Sequence, residues 1–249
     1  MLQGVLFDMD GLMFDTERIG RDGWHKAAEI LHIDLPEGII AAMRGTGTDR
    51  CREIFNAAIP GSLYDTAHDL RLRYADEVIA ADGVPVKPGL RELLRRLKAS
   101  GIPAVLATST RREKALAYLQ QTDVERYFTA AVFGPEVARP KPAPDIFLAA
   151  AAAIHADPAH CVVLEDSPNG LQAAKAAGCP AIVVPDLTPA PAESEHLWNY
   201  RAKDLREVQQ ILLKEREKLS GAQSWNMLSA HCCWRPSLGW QSTRYAAAT

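Results

Sequence analysis

The apolar positions change period along this chain, and the changes outline its elements. A short run, Val5-Leu6-Phe7, leads into Asp8-Met9-Asp10-Gly11. A continuous apolar run of this length fits a strand buried on both faces. After Gly11 the spacing becomes helical, through Ile19, Trp24, Ala27, Ala28, Ile30 and Leu31. A second helix is expected after Pro36, through Ile39, Ile40 and Met43, and Arg44-Gly45-Thr46-Gly47-Thr48 breaks it. Two more helical segments are expected, near 50–58 and 63–80. No strand pattern occurs between Phe14 and Asp82, so an all-helical block separates the first strand from Pro88.

Beyond Pro88 the pattern alternates. Leu90, Leu93, Leu94 and Leu97 form a helix face, and Gly101 supplies a stop signal. Ala104-Val105-Leu106-Ala107 reads as a buried strand, and Thr110-Arg111-Arg112-Glu113 has the spacing of a capping box. A short strand, Ala131-Val132-Phe133, precedes a helix over 145–154. Cys161-Val162-Val163-Leu164 is the fourth strand. Ser167-Pro168 then starts a helix that Gly178 ends, and Ala181-Ile182-Val183-Val184 is the fifth strand. Residues 185–193 are proline-rich and expected as loop. Leu205, Val208, Ile211 and Leu212 make a last amphipathic stripe, and the charges of 214–218 fit a solvated helix end. Apolar strands alternating with helices predict an α/β fold with a parallel sheet covered on both faces.

Past Gly221 the periodicity stops, although Trp225, Trp234, Trp240, Cys232 and Cys233 lie there. Residues 220–249 are therefore read as an atypical tail, poorly integrated and expected to be poorly ordered. The expected division is a core of residues 1–14 and 86–219, a helical cap of residues 15–85, and this tail.

Composition narrows the class. With 47% apolar and 24% charged residues the chain can bury a globular core. A net charge of −3 gives no general attraction to nucleic acid. No apolar run reaches the length of a membrane span. The first strand starts almost at once, so no signal peptide is expected. Cys51, Cys161, Cys179, Cys232 and Cys233 match neither a zinc site nor a disulfide framework. A cytoplasmic, monomeric protein is the expectation.

The topology gathers chemistry on one edge. In an extended segment, residues two apart share a side, so Asp8 and Asp10 are expected to face one small volume at the first strand's carboxyl end. Thr108 and Ser109 follow the second strand, and Glu165 and Asp166 the fourth. Lys141 lies in a loop stiffened by prolines, Arg139-Pro140-Lys141-Pro142-Ala143-Pro144. That edge is where open α/β sheets bind ligands. Taken singly, each piece has a plainer meaning: a turn, a helix cap or a surface lysine. Their combination is more specific. Crowded carboxylates invite a hard divalent cation such as Mg²⁺. A hydroxyl, helix N–H groups and a lysine suit an anion. Side by side, these describe a phosphate ester held on Mg²⁺. One carboxylate of the Asp8–Asp10 pair can attack phosphorus while the other moves protons.

With these pieces the sequence resembles the haloacid dehalogenase-like superfamily. The motifs that carry the resemblance are Asp8-Met9-Asp10-Gly11, Thr108-Ser109, Lys141 within Arg-Pro-Lys-Pro-Ala-Pro-Asp-Ile-Phe, and Leu164-Glu165-Asp166-Ser167-Pro168-Asn169-Gly170. The resemblance covers roughly residues 1–215 and is strongest to the β-phosphoglucomutase-like phosphatases. It implies a Rossmann-like core with a helical cap inserted after the first strand. It also implies Asp8 as nucleophile and Asp10 as general acid/base. Mg²⁺ would be held by Asp8, the Asp10 carbonyl and Asp166, with Glu165 beside it. Thr108, the Ser109 backbone and Lys141 would hold the transferring phosphate. The cap residues expected over the leaving group are Arg44, Thr46 and Thr48. Thr110 and Arg111 fall where second-phosphate contacts would lie, and Arg18, Trp24 and His25 are weaker candidates.

Two departures bear on activity. A β-phosphoglucomutase would carry histidine at the position of Gly20 and arginine near Thr48; neither is present. The expected activity is Mg²⁺-dependent hydrolysis of small phosphate monoesters, sugar phosphates among them, with a phosphosugar mutase as the alternative. The expected partner is a small phosphorylated metabolite, neither nucleic acid nor membrane. Dehalogenation needs neither Asp10 nor Asp166, and phosphonate cleavage would need a cap lysine, for which Lys26 is a weak candidate. A phosphoacceptor signalling module would not need the helical insertion. A dinucleotide enzyme would carry a G-x-G-x-x-G after the first strand, which is absent.

Overall fold

The computed structural model of the chain describes residues 2–187 and 192–220. Strands β1 (Gly4–Phe7), β2 (Ala104–Thr108), β3 (Phe128–Phe133), β4 (Cys161–Glu165), β5 (Ala181–Val183) and β6 (Tyr200–Arg201) form one sheet in the order β3-β2-β1-β4-β5-β6. Every pairing is parallel. The side-chain period of two explains the apolar runs. Val5, Phe7, Leu106 and Leu164 join one buried cluster, whereas Leu6, Val105, Ala107 and Val163 join another. Helices α5 (Leu90–Ala99), α6 (Arg112–Gln121) and α9 (Leu205–Ser220) cover the first face through Leu93, Leu119 and Val208. Helices α7 (Asp145–Ala153) and α8 (Pro168–Ala176) cover the second through Phe147 and Leu171.

Helices α1 (Thr16–Leu31), α2 (Glu37–Met43), α3 (Thr48–Ala58) and α4 (Tyr64–Asp82) lie between β1 and α5. They build a hydrophobic cluster of their own around Trp24, Phe55 and Tyr64. The Trp24 ring lies 5.8 Å from Phe55 and 6.2 Å from Tyr64, so it is packing in that cluster. The chain enters and leaves this helical block side by side. The Asp15 amide donates to the Pro85 carbonyl (2.8 Å), and the Lys87 amide donates to Met13 (2.9 Å).

Four details differ from the sequence reading. Strand β6 was not foreseen, because a two-residue strand carries no period. Strand β3 begins at Phe128, earlier than its apolar end suggests. The loop expected through residue 193 gives way to a 3-10 helix over Ala192–Leu197. Helix α6 starts at Arg112 with no side-chain cap, so the capping box at Thr110 does not form. The expectations for residues 221–249, and for 188–191 of the proline-rich stretch, lie outside the described residues.

Candidate active site

Strand β1 stops at Phe7, but the Asp8 amide still donates to the Leu164 carbonyl at 3.1 Å, extending the pairing by one step. Gly11 then turns the chain at φ +81°, and its missing side chain is needed. A Cβ there would stand 2.2 Å from Asp166 Oδ2. The charge of Asp10 reaches Asp8, but the two carboxylates take different partners.

The Lys141 ammonium is buried between two carboxylates. It donates to Asp8 Oδ1 at 2.5 Å and Glu165 Oε1 at 2.7 Å, and to the Ala107 carbonyl at 3.2 Å. Glu165 Oε2 accepts from the amides of Asp166 (3.1 Å) and Ser167 (3.0 Å), and from the Ser167 hydroxyl (3.0 Å). Both Glu165 oxygens are therefore engaged. Gly170 lets α8 approach it, since a Cβ there would overlap the carboxylate. Ser167 caps that helix by accepting from the Gly170 amide, with Pro168 at the first helical position.

Electrostatics follow from burial. Asp8 is pushed up to about 7, chiefly by burial, against the pull of Lys141 and with a further push from Glu165. Asp166 is also held well above the carboxylate range by burial, then by Glu165 and Asp8. Burial alone would lower the Lys141 ammonium, but Asp8 and Glu165 hold it above its usual value. The buried Lys141 ammonium pairs with Asp8 and Glu165, and one oxygen from each of Asp8, Glu165 and Asp166 lies within 4.8 Å of the others. Hard oxygen donors in excess of positive charge fit a divalent cation.

Asp10 is held by hydroxyls. Thr16 donates to Oδ1 and Thr110 to Oδ2, each at 2.6 Å. Thr108 is buried, and its Oγ1 accepts from the Thr110 amide at 3.1 Å. Ser109 is exposed at the tip of this turn.

The candidates from the helical block spread out. Arg44, with its side chain 11% exposed, lies 3.7 Å from Glu17 and 3.8 Å from Glu37. Thr46 turns its hydroxyl back onto the Met43 carbonyl at 2.8 Å, and Thr48 is exposed at the start of α3. Arg111 is exposed and makes no ion pair or side-chain hydrogen bond among the described residues. Of the weaker candidates, His25 pairs with Glu37 on the surface, and Arg18 pairs with Asp15.

Three residues escaped sequence reasoning. Glu17 is half-buried and pushed up to about 7 by loss of solvent and by Asp10, against Arg71 and Arg44. Asn169 donates to the Gly45 carbonyl at 2.7 Å, joining α8 to the loop after α2. Asp186 follows β5 and accepts from Lys87 at 2.6 Å. Only Asn169 left a trace in the sequence, as part of the motif after β4.

Fold and site together define a class: a parallel α/β sheet whose carboxyl edge collects aspartates, a buried lysine and a helix start. The chain belongs to the haloacid dehalogenase-like hydrolases, whose family model matches residues 2–178. A phosphorylated carbohydrates phosphatase of Thermotoga maritima is 32% identical over 179 residues, 71% of this chain and 82% of its own. The β-phosphoglucomutase of Bacillus subtilis is 30% identical over 192 residues, 74% of this chain and 83% of its own. Among solved structures, CbbY of Rhodobacter sphaeroides in complex with phosphate superposes with a TM-score of 0.70 at 26% identity, covering 84% of this chain and 96% of that one. No helix among the described residues is long and apolar enough to cross a membrane.

Proposed function

We propose that this chain is a Mg²⁺-dependent phosphatase of small phosphorylated metabolites, sugar phosphates in particular, and that residues 15–85 act as a lid over the site. The observation that carries the reading is the placement of Asp8: its Oδ1 is pinned by Lys141, beside the second carboxylate of Asp166. Asp8 attacks phosphorus, the bond to the leaving oxygen breaks, and Asp10 passes a proton to that oxygen. In the second half, Asp10 takes a proton from water as the water oxygen bonds to phosphorus, the bond from phosphorus to the Asp8 oxygen breaks, and the Asp8 carboxylate is regenerated as inorganic phosphate is released. Lys141 offsets charge on the transferring group, with Thr108 and the Ser109 amide as further donors.

A carboxylate approaching a phosphate dianion meets repulsion of ~4 kcal/mol per charge pair at ~4 Å and an effective dielectric of ~20. Mg²⁺ held by Asp8, the Asp10 carbonyl and Asp166 would supply the charge that offsets it. Glu165 acts as anchor, since Lys141, two amides and Ser167 occupy its oxygens.

The similarity to a β-phosphoglucomutase keeps a second reading open, in which the phosphoryl group returns to a sugar. Gly20 and Thr48 weigh against it, because the side chains expected of a mutase are missing there. The space beside Gly20 is taken by Arg71 of α4, whose Nη2 lies 2.7 Å from where a Cβ would stand. A phosphate-release screen over phosphorylated metabolites, run with wild type and Asp8→Asn, tests the proposal. Wild type should release phosphate from a subset of sugar phosphates and Asp8→Asn from none. Steady-state turnover by Asp8→Asn would reject the nucleophile assignment. Isomerisation of a hexose 1-phosphate without phosphate release would favour the mutase.

A further inference from the structure

Asp186 stands just past β5, on the sheet edge that carries Asp8 and Asp166, and the chemistry above assigns it nothing. Its side chain is 4% exposed. One oxygen, Oδ1, accepts from Lys87 Nζ at 2.6 Å, with Arg18 Nη2 at 3.5 Å. The other, Oδ2, is buried and has no hydrogen-bond partner among the described residues. Buried polar atoms are nearly always satisfied, so such an oxygen calls for a donor.

The surroundings indicate which donor. Oδ2 of Asp186 lies 3.4 Å from the point where a Cβ on Gly11 would stand, and Oδ2 of Asp166 lies 2.2 Å from the same point. The unpartnered oxygen and the carboxylate proposed to hold the cation thus converge on one point beside Gly11. Lys87 is committed to Oδ1 and to Asp15, at 3.0 Å, and Arg18 to Asp15, at 2.9 Å. Mg²⁺ sheds its water reluctantly and keeps several waters when bound to protein. Their hydrogens are strong donors.

We propose that Asp186 is a positioning residue of the cation site: its Oδ2 accepts a hydrogen bond from water carried by the divalent ion, while Lys87 fixes its Oδ1. This rests on the reading of Asp8 and Asp166 as metal ligands. Lys87 and Asp15 sit on the two connections to the helical block, so the same carboxylate ties the cation site to the base of the proposed lid.

Metal binding measured directly is the test. Mn²⁺ is titrated into the full chain, free Mn²⁺ is read by electron paramagnetic resonance, and Mg²⁺ is then added as competitor. Outer partners of metal sites typically contribute about 10–100-fold in affinity. Asp186→Asn should weaken both ions at least about tenfold, within that span. Asp15→Asn removes a charge from the same network and should change affinity less than about threefold, below that span. Unchanged affinity in Asp186→Asn overturns the proposal, as does an equal loss in both variants, which would mark a general charge effect. Failure of the wild type to bind either ion overturns the cation site itself, a separate result. Should Asp186→Asn not fold, Asp186→Ser is read in the same way.

Discussion

The Thr110 hydroxyl donates to Asp10 Oδ2 at 2.6 Å, across 100 positions of chain. With Thr16 on the other oxygen, it clamps the carboxylate proposed to move protons in one orientation. Thr110→Val keeps the shape and removes the donor. Hydrolysis of alkyl phosphates, whose leaving oxygen needs a proton, should fall about tenfold, a fraction of the ~10²–10⁴ that general acid–base catalysis contributes. Hydrolysis of p-nitrophenyl phosphate should fall less. Equal rate losses on both substrates would show that Thr110 does not act through Asp10.

Removing Asp10 itself gives a sharper contrast. Asp10→Ala should lose about 10²–10⁴ in kcat on alkyl phosphates, and quenched-flow experiments should find both formation and breakdown of the phosphoenzyme slowed. An unchanged rate on an alkyl phosphate would remove Asp10 from the proton-transfer role.

Lys141 holds Asp8 and Glu165 together, besides the role proposed for it. Lys141→Met leaves the carboxylates of Asp8 and Glu165 buried without their cation. Breaking a buried pair from one side costs about 3–5 kcal/mol. Urea unfolding at pH 7 should show a loss of this size, and a smaller one at pH 5, where Asp8, raised to about 7, takes up a proton. A loss under ~1 kcal/mol, the level of an exposed pair, would mean that solvent reaches this cluster.

Metal and protons should compete at Asp8. Its carboxyl is raised from 3.8 to about 7 in the metal-free chain, and Glu17 is raised to about 7 as well. Between those values the folded chain binds protons that the unfolded chain has lost. The stability of the metal-free protein should therefore fall as pH rises through that window. A cation that binds only the folded state and displaces a proton reverses this contribution. The rise in Tm on replacing EDTA with Mg²⁺ should be larger at pH 8 than at pH 5. Equal shifts would count against binding at Asp8.

Legibility of the sequence varied with the range of the interaction. The alternation of strands and helices was readable because both sheet faces are buried, which makes each strand a run such as Cys161–Leu164. Ser167-Pro168 announced a helix start because capping is settled within a few residues. Thr110 misled for the same reason: its spacing to Glu113 fits a capping box, but its hydroxyl is taken by a carboxylate distant in sequence.

By itself, the sequence determined the layered α/β architecture, the helical insertion after β1, and the set of residues on the carboxyl edge. These follow from local periodicity and from the rule that parallel strands end together. Tertiary structure alone decided the two-residue strand β6, the engagement of Glu165 with Lys141, the half-burial of Glu17 near the charge of Asp10, and the convergence of Asp186 and Asp166 beside Gly11. Each depends on side chains meeting from elements distant in sequence, in a medium that leaves an unpaired charge costly. Local pattern carries no record of such meetings.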